Sequence, residues 1–263
     1  MAEKMAEFFS RYASKSDGRY FLLSQDDGQS FEDAYIQLRK KEQRLYSDDD
    51  VRALPDVQPN HVHAKEWLVR KRSAEKLLTY LTGRRPKMAL EIGCGNGWLT
   101  HLLARVCEET CGLDLNKTEL NQAAMVFKAP HIFFAYGDIF TVEFPRGCFD
   151  AVVLASSAQY FPHLPLLINR LLELLSDDGE IHFLDTAFYS ESEIAAARQR
   201  TCNYFASAGY PQMSNFYHHH SFSGLKGFDW ALLYNPSSVV QRGINLFNKS
   251  ASPFPWIVVR KSI

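Results

Sequence analysis

Three glycines and three acids are the residues whose types and spacing could do chemistry. The apolar run Met88 to Ile92 breaks into Gly93-Cys94-Gly95-Asn96-Gly97, and Glu91 stands two residues before the first glycine. Glycine tolerates positive φ and has no Cβ, so such a turn lets a ligand approach backbone amides at a helix N-terminus. Asp114 follows about 20 residues after the first glycine, the distance at which an acid accepts hydrogen bonds from ribose hydroxyls in nucleotide-binding sheets. Asp138, after Gly137, closes a further strand. The third glycine falls two residues after the second, giving G-x-G-x-G. A dinucleotide fingerprint would put it where Trp98 stands, and tryptophan fits poorly in the close helix–strand packing of that fingerprint.

The elements that must position these residues follow a βαβ rhythm. Trp98, Leu99, Leu102, Leu103 and Val106 make a helical pattern after the glycines. Thr110 to Leu115 reads as a strand with Asp114 at its end. Asn116-x-x-Glu119 is a capping-box-like start for a helix carrying Leu120, Ala123, Ala124 and Phe127, ended by Pro130. His131 to Tyr136 and the continuous apolar run Phe149 to Leu154 are the next strands, the latter suited to a sheet covered on both faces. Leu164 to Leu175 is an apolar helix ended by Asp177-Asp178-Gly179, Glu180 to Leu184 is a strand, and Ser190-x-x-Glu193 caps a helix running to about Ala208. Trp230 to Tyr234 and Trp256 to Arg260 read as an antiparallel hairpin. Upstream, Ala64 to Leu81 is an amphipathic helix stopped by Gly83-Arg84-Arg85-Pro86. Phe31 to Arg44 is another, with Phe31, Ala34, Tyr35 and Leu38 on one face. The aromatics Phe8, Phe9, Tyr12, Tyr20 and Phe21 predict a helix and a turn that pack on something.

Glu91-x-Gly93-x-Gly95-x-Gly97 resembles the first motif of the class I S-adenosylmethionine-dependent methyltransferases. The resemblance covers residues 87–186 well, the C-terminal hairpin loosely and residues 1–60 not at all. It implies an α/β fold: a doubly wound, mostly parallel seven-stranded sheet, Rossmann-like, with a C-terminal antiparallel hairpin and an N-terminal helical extension. Residues 1–63 would be that extension or lid, and 64–263 the methyltransferase domain. The implied cofactor is S-adenosylmethionine, with S-adenosylhomocysteine as product. Gly93, Cys94, Gly95, Asn96 and Gly97 would pass under its methionine part and ribose, with Glu91 organising the loop. Asp114 would bind the ribose diol and Leu115 pack on the adenine. Asp138 would accept from the adenine amino group, Ile139 would supply a backbone amide, and Ala155 and Ser156 would line the sulfonium side. The helix at 64–81 would border the pocket.

Methyl transfer from a sulfonium is an in-line displacement with an already activated leaving group, so alignment and exclusion of water matter more than acid–base groups. Catalytic residues are therefore poorly marked in the chain. Tyr160 and His163, after the fourth strand, are the candidates, each with a packing or surface alternative. His218-His219-His220 invites a metal reading, but three adjacent side chains do not easily converge on one ion, and none is assigned. His61, His63 and Trp67 belong either to a lid or to interhelix packing.

At 263 residues, with 46% hydrophobic and 22% charged residues and a net charge of −1, the chain reads as an ordinary globular protein with no electrostatic footprint for nucleic acid. Arg70-Lys71-Arg72 and Arg84-Arg85 read as a solvated helix face and its end. No apolar run reaches membrane-spanning length, and no signal-peptide core is present. Five cysteines without regular spacing read as reduced. The expectation is a cytoplasmic protein, monomer or homodimer, with a small-molecule methyl acceptor and neither nucleic acid nor membrane as partner. Strand four ends in Leu154-Ala155-Ser156-Ser157, not in the Asn-Pro-Pro-Tyr type motif of enzymes that methylate base or glutamine amides. Two alternatives stay open: a non-catalytic member of the fold that binds a nucleoside ligand or a protein partner, and a NAD-dependent oxidoreductase, against which Trp98 counts.

Overall fold

The computed structural model describes residues 5–11, 20–23, 29–238 and 251–261. Tyr12, one of the N-terminal aromatics, lies outside them. Among the described residues the main sheet has eight strands rather than seven, in the order β1-β4-β3-β2-β5-β6-β10-β9. These are β1 (Phe21–Leu22), β2 (Met88–Ile92), β3 (Glu109–Asp114), β4 (Ile132–Tyr136), β5 (Phe149–Ala155), β6 (Leu175–Leu184), β9 (Asp229–Tyr234) and β10 (Trp256–Arg260). The additional strand is β1, which pairs in parallel with β4 through Phe21↔Ala135 and Leu22↔Tyr136. Two residues are too few for a period-two pattern to register. The strands from β1 to β6 are parallel to their neighbours, while β10 runs antiparallel to both β6 and β9.

Strand alternation sorts the core into two faces. Met88, Leu90 and Ile92, with Val152, Leu154, Ile181 and Phe183, face one side. There they meet α7 (Leu164–Leu174), which buries Leu164, Leu167, Ile168, Leu171 and Leu174. Ala89, Ala151 and Val153 face the other side. It is covered by α4 (Ala64–Arg84), α5 (Trp98–Leu103) and α6 (Lys117–Val126).

The N-terminal segment is not an appendage to this core. In α1 (Met5–Ser10), Met5, Phe8 and Phe9 are buried on the α7 face. Phe9 stacks between Phe21 and Phe133, with ring centroids 4.5 and 5.0 Å away, and Phe8 meets Phe144 at 5.3 Å. In contrast, α2 (Gln29–Lys41) sends Phe31, Ala34, Tyr35 and Leu38 into a separate cluster with Phe205 of α8 (Glu191–Ser207) and Met213. The short helix α3 (Asp48–Ala53) follows, closed by a capping box on Ser47. A two-stranded sheet, β7 (Phe188–Tyr189) with β8 (His220–Ser221), completes the fold.

One boundary differs from expectation for a local reason. α7 stops at Leu174, and β6 begins at once, with Asp177, Asp178 and Gly179 inside the strand rather than before it. The register against β5 shifts between Phe149↔Leu175 and Ala151↔Glu180, which accommodates the turn residues as an irregularity in the ladder.

Candidate functional site

In a sheet of this type a crevice forms at the carboxyl ends of the strands where the order reverses. Here β2 is flanked by β3 on one side and β5 on the other, and a cavity opens above their ends. The loop after β2 is tied to β3: Gly93 and Cys94 amides donate to the Leu113 carbonyl at 2.8 and 3.3 Å. Gly93 has φ +71°, and a Cβ there would lie 2.5 Å from Ser157 Cβ. Gly97, at φ +77°, is the N-cap of α5, and a Cβ there would lie 2.6–2.8 Å from the Phe134 ring and Ala123. The close packing between helix and sheet therefore falls on Gly97, and Trp98 is free to turn edge-on to Trp67 at 5.3 Å.

Glu91 lies buried beneath this loop and accepts a hydrogen bond from Thr100 Oγ1. Burial, reinforced by nearby Asp114, pushes its carboxyl up to about 8, against the opposing Thr100 bond. Asp114 ends β3. One of its oxygens accepts from the Gly95 amide at 2.7 Å and the other from the Asn116 amide at 2.9 Å. Burial raises its pKa despite those amides. Asp138 accepts from the Phe140 amide at 3.0 Å. Ser156, at φ +56°, donates its hydroxyl to the Asp185 carbonyl at 3.0 Å.

Glu91, Gly93, Cys94, Gly95, Asn96, Asp114, Leu115, Asp138, Ile139, Ala155 and Ser156 all line this one cavity, and Tyr160 lines it too. Gly97 does not; it acts in packing beneath the loop. His163 is exposed at the N-terminus of α7 and does not reach the cavity. Trp67 lines it, donating its indole N–H to the Tyr46 hydroxyl at 3.0 Å. His61 and His63 instead pack behind: His63 Nε2 bonds the Glu42 carbonyl at 2.7 Å, and His61 Nδ1 accepts from the His63 amide. In the triple histidine, His219 Nε2 bonds Thr201 Oγ1 at 2.9 Å and His220 Nε2 bonds the Ala158 carbonyl at 2.9 Å. Among the described residues no three His, Cys, Asp or Glu side chains converge as a metal site.

Sequence reasoning missed the residues that close the cavity from above. Phe31, Tyr35 and Arg39 of α2, with Arg44 and Tyr46 beyond it, all line it. Arg70, read as part of a solvated basic run, also turns inward: its neighbour Glu66 holds it, with Arg70 Nη2 2.9 Å from Glu66 Oε1. Burial works against the Glu66 carboxylate, yet the bond from Arg44 and the nearby Arg70 hold it down at about 2. Glu119, expected to reach back to its own helix start, is displaced from that role because the Asn116 amide is taken by Asp114. Its carboxyl enters the cavity, bonded by Asn116 Nδ2 at 3.2 Å and raised to about 7 by burial. The one available signal for Arg39 was its place four residues after Tyr35, a spacing at which helix side chains meet.

Comparisons with known proteins bear on this geometry. Residues 90–183 match the model of the methyltransferase domain family. The chain is 29% identical over 125 residues to the malonyl-[acyl-carrier protein] O-methyltransferase of Erwinia billingiae, covering 48% of this chain and 49% of that protein. It is 31% identical over 107 residues to a protein-L-isoaspartate O-methyltransferase of Shewanella loihica, covering 40% and 48%. The chain thus spans about half the length of these curated relatives. In fold it is similar to the crystal structure of magnesium protoporphyrin IX methyltransferase from Synechocystis with bound S-adenosylhomocysteine, with a TM-score of 0.56 and 15% identity over 89% of this chain and 99% of that one. No helix among the described residues is long and apolar enough to cross a membrane. Residues 90–183, which carry the glycine loop and reach from β2 into β6, thus match the methyltransferase domain family, and the fold of the chain is that of a solved methyltransferase.

Proposed function

We propose that this chain transfers the methyl group of S-adenosylmethionine to a small-molecule acceptor, and that Asp114 and the Gly93–Gly95 loop hold the donor. The observation that carries this reading is the convergence of four successive strand ends on one cavity, each contributing a group suited to one part of the ligand. Asp114 keeps lone-pair capacity for a ribose diol, because a carboxylate offers about four acceptor sites and the backbone amides of Gly95, Asn116 and Leu115 take fewer. Leu115 and Ile139 offer apolar surface for the adenine, and Asp138 an acceptor for its amino group. Glu91, holding its proton at neutral pH, supports the loop without setting a negative charge against the methionine carboxylate. Ala155, Ser156 and Tyr160 border the sulfonium side. At Gly93 the missing Cβ makes room for Ser157, and at Gly95 for the Glu119 carboxyl that enters the cavity. When bound, the donor supplies an electrophilic methyl on a sulfonium; the chain's own part is to bind, orient and exclude water.

α2 is the cover in this reading, with α8 behind it, and it selects the acceptor. The acceptor itself is a proposal on the same footing, since one relative's name gives an acyl-carrier-bound acid and the other a protein residue. The aromatic enclosure by Phe31, Tyr35, Tyr160 and Phe161 favours a small apolar molecule over an extended polypeptide.

The test is transfer of a labelled methyl group. The purified protein is incubated with methyl-labelled S-adenosylmethionine and a fractionated small-molecule extract, and labelled products are sought by mass spectrometry. Labelled small molecules that vanish with Asp114→Ala support the proposal. Binding of S-adenosylhomocysteine with no label transferred to any fraction would point to a non-catalytic member of the fold.

A further inference from the structure

Three arginines line the cavity, and two of them are already neutralised. Arg44 and Arg70 share Glu66 at 2.6 and 2.9 Å, and Arg44 also meets Glu42 at 3.1 Å. Arg39 differs. Its Nε donates to the Tyr35 hydroxyl at 2.9 Å, and its guanidinium lies over the Tyr35 ring at 4.9 Å. Among the described residues no carboxylate is within ion-pairing distance of it. Glu119 bears on Arg39 across the cavity and favours its charge, but makes no ion pair with it, so the half-buried guanidinium keeps donors for a ligand of opposite charge. The planar fork suits a carboxylate.

The surroundings of Arg39 specify the rest of that ligand. Tyr35 stands edge-on to Tyr160 at 5.9 Å, and Phe31 edge-on to Tyr160 at 5.7 Å, so the walls beside the guanidinium are ring faces and edges. The hydroxyls there do not act as bases: burial raises both Tyr35 and Tyr160 above the usual tyrosine value. Glu119, held by Asn116 and close to Gly95, also faces this group, and its charge bears on Arg39, Tyr35 and Tyr160. An acceptor that already carries a negative charge beside Arg39 needs no proton taken from it by these hydroxyls.

We infer that the acceptor is a small apolar carboxylic acid, that Arg39 recognises its carboxylate, and that the product is the methyl ester. This rests on the methyl-transfer reading above. One carboxylate oxygen forms the O–CH3 bond as the S–CH3 bond of the donor breaks. The bonding pair stays on sulfur, the sulfonium and carboxylate charges cancel, and no proton moves. The neutral ester then loses its attraction to Arg39, which favours release.

Calorimetry on the full chain tests this, with octanoate and benzoate as acid probes and octanol and benzamide as their neutral counterparts. The protein is first saturated with S-adenosylhomocysteine, which carries the same amino-acid carboxylate as the donor. The expected result is that at least one acid binds and its neutral counterpart does not. Arg39→Gln should weaken that acid by about tenfold to a hundredfold, the loss of one charge-assisted contact, with Arg39→Lys in between. S-adenosylhomocysteine affinity should stay within about twofold in both variants, which also shows that they fold. Equal binding of acids and neutral counterparts, or no binding of either, overturns the inference and leaves the donor reading standing. A parallel loss of S-adenosylhomocysteine affinity in Arg39→Gln also overturns it, because Arg39 would then serve the donor's carboxylate. Failure of the wild-type protein to bind S-adenosylhomocysteine at all would instead remove the underlying reading.

Discussion

A carboxyl that keeps its proton at neutral pH sits beneath the glycine loop. Glu91 is buried, and its folded-state value of about 8 lies above the ordinary 4.5. Below pH 4.5 the group is protonated in both folded and unfolded chains and contributes no pH dependence. Above it the unfolded chain ionises while the folded chain does not, so stability falls as pH rises, until the folded carboxyl ionises near 8. Glu91→Gln keeps an acceptor for Thr100 and removes the titration. Urea unfolding at pH 5 and pH 8 should show the variant losing less stability across that interval, by at least about 1 kcal/mol, each tenfold change in proton affinity being worth about 1.4 kcal/mol. Equal losses in both proteins would mean that Glu91 is ionised in the fold. Asp114 makes the companion case for binding. With both oxygens anchored by backbone amides, it is aimed before a ligand arrives. Asp114→Ala should cost roughly 1.5–3 kcal/mol of S-adenosylhomocysteine affinity by calorimetry, the range for bonds to a charged group. Circular dichroism would confirm that the variant folds, and unchanged affinity would refute the ribose role. These acids were legible in the sequence because strand ends are marked twice, by the apolar run that stops and by the turn that follows. Arg39 was not: a helix pattern separates apolar from polar faces, and its spacing from Tyr35 announces only that the two side chains meet, not that they meet over a site.

At the scale of elements, the N-terminal segment divides into two pieces with different work. α1 and β1 belong to the core, with Phe9 1% exposed between Phe21 and Phe133. Phe9→Ala should therefore cost about 3–5 kcal/mol by chemical denaturation, the usual loss for a buried phenylalanine. A loss under 1 kcal/mol would show that α1 is only loosely docked. Deletion of residues 1–60 would strip these rings from the sheet, so it cannot isolate a lid function. α2 is the piece placed to act as one. Its start is held to α6 by the Thr118 amide donating to Glu32 at 3.1 Å, and its end to α8 by Lys41 Nζ donating to the Ala208 carbonyl at 2.7 Å. Just past that end Tyr204 donates to Glu42. Such contacts hold the cover in place while its inner face meets the cavity. Phe31→Ala, on the part of α2 facing Tyr160, should leave S-adenosylhomocysteine affinity within about twofold and lower methyl transfer by tenfold or more, as expected when positioning is lost. Full transfer in that variant would end the lid role for α2. The aromatic richness of the first 60 residues announced that they pack somewhere. It could not announce that one stretch goes to the α7 face and the next over the strand ends, because both present the same residue types.

At the scale of the whole molecule, two features of the sheet decide what the cavity accepts. The order reverses at β2, which opens the crevice, and β10 and β9 close the far edge in antiparallel sense, away from it. The parallel part was readable from the alternation of apolar runs and amphipathic helices. The edge strand β1 was not, being two residues long and defined only by its pairing with β4. The glycine loop then chooses between nucleotides. A dinucleotide fingerprint places a glycine at the position of Trp98 to bring helix and strand together. Here Gly97 makes that approach one residue earlier, against Phe134 and Ala123, and Trp98 occupies the space beside Trp67. α5 still starts at the end of the loop, with Gly97 as its N-cap, but the Trp98 side chain fills the place at its first residue that the fingerprint keeps for glycine. The molecule should be stabilised by S-adenosylmethionine and S-adenosylhomocysteine and not by NAD. At 100 times its dissociation constant a ligand that binds only the folded state adds about 2.7 kcal/mol. In a protein of this size each kcal/mol raises Tm by about 2–4 °C, so the shift with either adenosyl ligand should be several degrees in a thermal melt. A comparable shift with NAD, and none with S-adenosylhomocysteine, would reverse the assignment of this cavity and return the chain to the oxidoreductase alternative.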